Sequence, residues 1–181
     1  SAEDVVVRTA GASIFLVYVD ASQGWVATQD DSSTFAGESF ITATGGTITT
    51  CGDDKIHTFT GPGTFTVCSV ASCAPNNAVA YMVVAGGAGG GDSSGNSSNG
   101  GGGAGGFREG TTAPIVPYTA SPLVAATGIT VTATGYPITV GAGGPRGAGN
   151  SPDNTGGTGG VSTFSTITSA GGGGGGAHSP G

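Results

Sequence analysis

Residues 86–106 read GGAGGGDSSGNSSNGGGGAGG, two glycine runs around a polar insert, and how such runs satisfy their backbone decides the fold. Two readings compete. Gly and Ser rich chain commonly forms flexible coil. Extended polyglycine helices of the polyproline II type, with three residues per turn and no internal hydrogen bonds, instead stack and pair their N–H and C=O groups on neighbours. Stacking leaves no room for interior Cβ atoms, so interior positions accept Gly and occasionally Ala. Further tracts follow at 141–149 (GAGGPRGAG), 156–160 (GGTGG) and 171–176 (GGGGGG). Within the tracts the alanines are Ala88, Ala104, Ala142 and Ala148, with Pro145 in a compatible conformation, while Ser, Asn and Asp are segregated into breaks at 92–99 and 150–155. That segregation favours the ordered lattice. Because glycine loses more backbone entropy on folding than any other residue, several tracts must pair at once, held in register by flanking strands.

Composition agrees with an all-β chain. Of 181 residues 39 are Gly and only 8% are charged, against ordinary shares of about 7% and about 25%. Leu16 and Leu123 are the two leucines, and Val, Thr, Ile, Phe and Tyr supply the apolar surface. Glycine in runs rather than at every third position excludes collagen. Arg8, Lys55, Arg108 and Arg146 are scattered among eleven acidic residues, which offers a nucleic acid nothing to bind. Apolar runs such as Ile14 to Val19, six residues, fall far short of the about 20 that a spanning helix needs, so membrane insertion is not expected. A start at Ser1 rather than Met reads as a chain whose leader was removed or as a piece of a longer protein. Low charge and three cysteines suit an oxidising exterior.

Two modules are expected, 1–44 and 45–181. In the first, Val5 to Val7, Ile14 to Val19 and Trp25 to Thr28 read as a three-stranded meander. A meander this small needs a partner layer or neighbouring chain, which makes Val5, Val7, Ile14, Leu16, Tyr18 and Trp25 candidate assembly residues, and Ser39 to Thr44 a further strand. The second opens with a strand at Thr47 to Thr50. Gly61-Pro62-Gly63 reads as the reversal of a hairpin joining Ile56 to Thr60 with Phe65 to Val67. Ala80 to Ala85 is a continuous apolar strand expected to be central, followed by β-like pieces at Ile129 to Thr134, Ile138 to Val140 and Val161 to Ile167.

GGTITTCGDDKIHTFTGPGTFTV, then YMVVAGGAGGG, GGGAGGFREG, YPITVGAGG and STFSTITSAGGGGGG, together resemble the glycine-rich C-terminal domain of tailed-phage fibre and adhesin proteins. The resemblance implies a β-sandwich-like domain with a packed polyglycine core at a virion or cell exterior, displaying variable loops to cell-surface receptors. On this chain the candidate display residues are Asp92, Ser93, Ser94, Asn96, Asn99, Asn150, Asp153 and Asn154. The expected role is a non-enzymatic structural subunit of a fibre or filament, paired with copies of itself as a homopolymer or homotrimer through β-strand contacts; the alternative is a tip that recognises a surface glycan or outer-membrane protein.

Catalysis finds no footing. His57 and His178 lack an accompanying nucleophile or metal-ligand pattern, and Asp30-Asp31 and Asp53-Asp54 lack the spaced oxygen ligands of a calcium loop. Neither cofactor nor metal is expected. Cys68 and Cys73 are favoured as a disulfide, with Cys51 paired to Cys68 or left free as alternatives, and Asn96-Ser97-Ser98 is a glycosylation sequon.

Overall fold

Alternating apolar and polar residues between Gly, Asp and Ser punctuation produce short strands here, and the glycine runs between them extend the same ladders. The computed structural model describes residues 16–21, 24–27, 39–92, 99–112, 121–122, 124–149 and 155–177. The chain divides into two units, Ser1–Ser39 and Phe40–Gly181. In the first, β1 (Leu16–Asp20) and β2 (Gly24–Ala27) form an antiparallel hairpin with Tyr18 opposite Trp25. Val17, Tyr18 and Val19 are all about half exposed. Val5, Val7 and Ile14, expected to contribute to the same meander, lie outside the described residues.

In the second unit the strands are β3 (Thr42–Thr44), β4 (Thr47–Cys51), β5 (Asp54–Thr58), β6 (Gly63–Ser69), β7 (Ala78–Val79), β8 (Tyr81–Val84), β9 (Phe107–Gly110), β10 (Ile129–Thr130), β11 (Gly135–Thr139), β12 (Ser162–Phe164) and β13 (Ile167–Ser169). Every strand pair is antiparallel, and the helical content among the described residues is one 3-10 turn at Ala74–Asn77. The all-β expectation holds. The main sheet runs β13-β12-β11-β6-β3, and β4-β5, β7-β10 and β8-β9 form separate pairs.

The hairpin expected across Gly61-Pro62-Gly63 does not form. β5 pairs with β4, through the tight turn at Gly52-Asp53, where Gly52 has φ +59°. β6 has both edges occupied already, by β3 and β11, so no edge is left for β5. The chain between them instead lays Phe59 beneath Gly45, Gly46 and Gly63, where an added Cβ would come within 3.1–3.3 Å of the ring. Gly45 and Gly46 also have φ of +107° and +65°, a bend that L side chains rarely adopt.

Two further expectations change. The apolar run from Ala80 to Ala85 is not central: β8 pairs with β9 alone, and Met82 and Val84 are exposed while Val83 is buried. The piece from Val161 to Ile167 breaks at Ser165, whose φ of 53° turns β12 back on β13. A non-glycine residue in this region is strained. Ser165→Gly is therefore expected to raise stability by about 0.5–1 kcal/mol, read as a higher thermal midpoint; a lower midpoint would show that the Ser165 side chain makes a compensating contact.

The core lies where the main sheet meets the β7-β10 and β8-β9 pairs. Phe65 and Val67 alternate inward along β6 and join Val83, Val131 and Phe164. Phe164 is the hub of its aromatic part, edge-on to Phe65, Tyr81 and Tyr136 at centroid separations of 6.0, 6.4 and 6.1 Å. His57 caps this group, T-shaped to Phe65 at 5.0 Å, with Nδ1 2.8 Å from the Gly45 carbonyl.

Candidate functional site: a glycine slab with one polar end

Five glycine tracts leave this core: tract I (85–92), tract II (99–106), tract III (141–149), tract IV (155–161) and tract V (170–177). Each continues a strand. The β8–β9 ladder ends at Val84 opposite Phe107, and the pairing goes on from Ala85 N–H to Gly106 O, Ala88 N–H to Gly103 O and Gly91 N–H to Gly100 O. The bonds now fall at every third residue rather than every second, the repeat of a three-fold extended helix. The tracts are ordered by mutual pairing, as the segregated sequence implied.

Pairing among the tracts defines their arrangement. Tract I donates to tract II and, from Gly86 and Gly89, to Gly160 and Gly157 of tract IV; it accepts at Gly87 and Gly90 from Gly144 and Gly147 of tract III, and at Gly86 and Gly89 from Gly172 and Gly175 of tract V. Tract II donates to tract V, and tract IV donates to tracts III and V. This pattern closes only as a two-layer slab: tracts II, I and III side by side, with V and IV seated in the grooves beneath. Tract I is the shared row. Tracts I, III and V run one way and II and IV the other, as the order of their bonded residues shows.

No tract glycine has a positive φ. They are glycine because of space, not backbone conformation. A Cβ at Gly86, Gly89, Gly102, Gly105, Gly156, Gly159, Gly171 or Gly174 would lie within 3.0 Å of a carbonyl on the next tract. Of the alanines singled out by sequence, Ala104, Ala142 and Ala148 are exposed and Ala88 half-buried. The start of tract III is tied to the core by Gly141 N–H, which donates to the buried Ser162 Oγ at 2.9 Å.

The opposed directions have a consequence for the polar breaks. Asp92, Asn99, Gly149, Thr155 and Ala177 all stand at the end of the slab remote from the strands, since Gly91 pairs with Gly100 and Gly100 with Gly176, while Gly156 pairs with Gly175. Arg146 Nη1 reaches Asp92 Oδ2 at 3.4 Å across this end; with the arginine largely solvated, such a pair contributes little. The candidate display residues Ser93, Ser94, Asn96, Asn150, Asp153 and Asn154, and with Asn96 the sequon, lie outside the described residues. Asp92 and Asn99 are brought together at the same rim.

Residues 58–181 match the family model described as a glycine-rich domain. The chain belongs to that family. No curated protein and no solved structure matches the chain. Cys51, Cys68 and Cys73 are all exposed and carry free thiols. Among the described residues no group of His, Cys, Asp or Glu is placed to hold a metal ion, and no helix is long and apolar enough to cross a membrane. His57 is occupied with the core edge and the Gly45 carbonyl.

Sequence reasoning located the tracts but missed the difference between them. That tract I is the shared row, and that some glycines face backbone while others face open space, depends on which tract lies beside which. The alanines carry a partial signal, because they mark positions where a Cβ fits.

Proposed function

We propose that this glycine-rich domain is a non-enzymatic display module of an extracellular or virion-surface fibre, whose slab offers the polar segments 93–98 and 150–154 to a cell-surface glycan or outer-membrane protein. The observation that carries this reading is the common position of Asp92, Asn99, Gly149 and Thr155 at the slab end remote from the core. The residues that flank two polar segments of different composition thus share one end of a support whose backbone is bonded on several sides. Changes in these segments leave the support intact, because the tracts take their order from one another and from the core. The resemblance to tailed-phage fibre and adhesin domains points to the same use.

A fibre-subunit role is the second reading, favoured by the β1–β2 hairpin, where Val17, Tyr18 and Val19 are consecutive and all about half exposed. A two-stranded hairpin with apolar residues on both faces gains stability from a covering partner.

Replacing residues 93–98 with a length-matched Gly/Ser segment is expected to abolish attachment to the cells that bind the native chain, with an unchanged thermal midpoint. Full attachment by the exchanged protein, with loss of attachment in a chain beginning at Phe40, would instead assign the role to the N-terminal hairpin.

A further inference from the structure

Several tract glycines are not required by this chain. At Gly101 an added Cβ meets nothing within 4 Å; at Gly87 and Gly90 its nearest neighbours are 3.7 and 3.5 Å away, and at Gly143 3.8 Å, ordinary contact distances. Their φ values are not positive. Alanine would fit at all four and would lose less backbone entropy on folding. Glycine at such places is explained by a backbone arriving from outside, because only a second bare backbone approaches closely enough to need it.

Gly87, Gly90 and Gly101 share one face of the slab with Ala104. Gly87 and Gly90 follow Val84 at three-residue intervals on tract I, and Gly101 and Ala104 precede Phe107 at the same interval on tract II. Met82, Val84 and Phe107, on the strands that run into these tracts, are 70%, 51% and 38% exposed. Among the described residues, the N–H groups of Gly87, Gly90 and Gly101 make no backbone hydrogen bond. The face is therefore flat, uncharged along these two rows, and lined with unused donors. It continues the lattice already formed inside the chain: tract I has neighbours on four of the six sides that close packing provides, and the two vacant sides open here.

The opposite face differs. Gly173 and Gly176 are open there too, but the adjoining tract IV carries exposed Thr155, Thr158 and Val161, which would hold another backbone away.

We propose that a second copy of this chain docks on the face of Gly87, Gly90, Gly101 and Ala104, extended by Met82, Val84 and Phe107, with its own bare rows laid against these. Both strand directions already occur inside the slab, so a two-fold partner meets no polarity conflict. Eight tract residues at about 3.1 Å and four strand residues at about 3.3 Å give a face roughly 40 Å long, and two rows about 5 Å apart bury on the order of 800 Å² in total, the size of a weak, transient interface. The dimer is accordingly weak and concentration-dependent. It is independent of what the tips bind, so its failure would leave the display reading untouched.

The test uses the full chain. Sedimentation equilibrium is expected to show a reversible monomer–dimer equilibrium, and Gly87→Val with Gly101→Val to weaken it about tenfold or more while the far-UV spectrum and dilute-solution thermal midpoint stay unchanged. A monomer at all concentrations, or a dimer indifferent to the two valines, overturns the proposal. Should the variant fail to fold, amide exchange of the native chain decides: exchange at Gly87, Gly90 and Gly101 is expected to slow as concentration rises. Rates that do not vary with concentration overturn it, whether fast, with the face left open, or slow, with another part of the same chain covering it.

Discussion

Gly89→Ala is expected to destabilise the domain by about 3 kcal/mol or more, although it adds a single methyl group. Gly89 sits in the shared row, its N–H bonded to Gly157 O and its carbonyl accepting from Gly175 N. A Cβ there would lie within 3.0 Å of the Pro145 carbonyl and Arg146 N. Backbone cannot swing aside as a flexible side chain can, so tract III must move away from tract I. That movement strains the bonds from Gly144 and Gly147 to Gly87 and Gly90, and the loss spreads because every tract is held by its neighbours. Gly87→Ala, two positions away, is the matched control. At micromolar concentration it is expected to leave stability unchanged or raise it by about 0.4–1 kcal/mol, since its Cβ finds ordinary contact distances. Thermal melts of the two variants side by side provide the measurement, with a separation of about 6–12 °C expected for a chain of this size. Equal midpoints would show that the tracts are not packed as a lattice.

Phe164→Ala carries the second large effect, a loss of about 3–5 kcal/mol. The ring is 7% exposed and stands edge-on to three other aromatic rings, so its removal deletes the apolar transfer term, leaves a cavity and forfeits the quadrupolar contacts. The cavity would also be poorly repaired, since Phe65 and Tyr136 are held by strand pairing of β6 with β11. The consequence reaches the slab. β12 receives tract IV and β13 launches tract V, so loosening their anchor loosens the ends of both tracts. Denaturant unfolding reads the total loss. Amide exchange should show Gly159 and Gly172, which are bonded donors of tracts IV and V, protected less than in the native chain. A loss below about 1 kcal/mol, typical of a surface site, would place the stabilising core elsewhere.

Much of the fold was legible because composition restricts it. Few residues here favour a helix, and the Val, Ile, Thr and Phe segments between glycine and polar turns are strand material. Segregation of Ser, Asn and Asp into two breaks also announced ordered tracts, because a coil has no reason to keep its polar residues apart. The errors have a common origin. Gly61-Pro62-Gly63 has the residues of a reversal, yet β6 gains more by pairing with β3 and β11 than with its neighbour in sequence, and local turn chemistry says nothing of competing edges. Ala80 to Ala85 is apolar throughout, as a central strand would be, but Met82 and Val84 face outward next to a bare glycine surface. Ser165 offers no glycine to mark its left-handed turn.

Glycine placement was thus settled by the chain itself: where the tracts begin and end, where a Cβ is permitted, and where polar residues collect. The row order was not, because polyglycine carries no side chains by which one tract could select another. Only the strands anchored in the core, through residues such as Phe65, Val83 and Phe164, impose which tract lies beside which, and so decide which glycines are indispensable and which face open space.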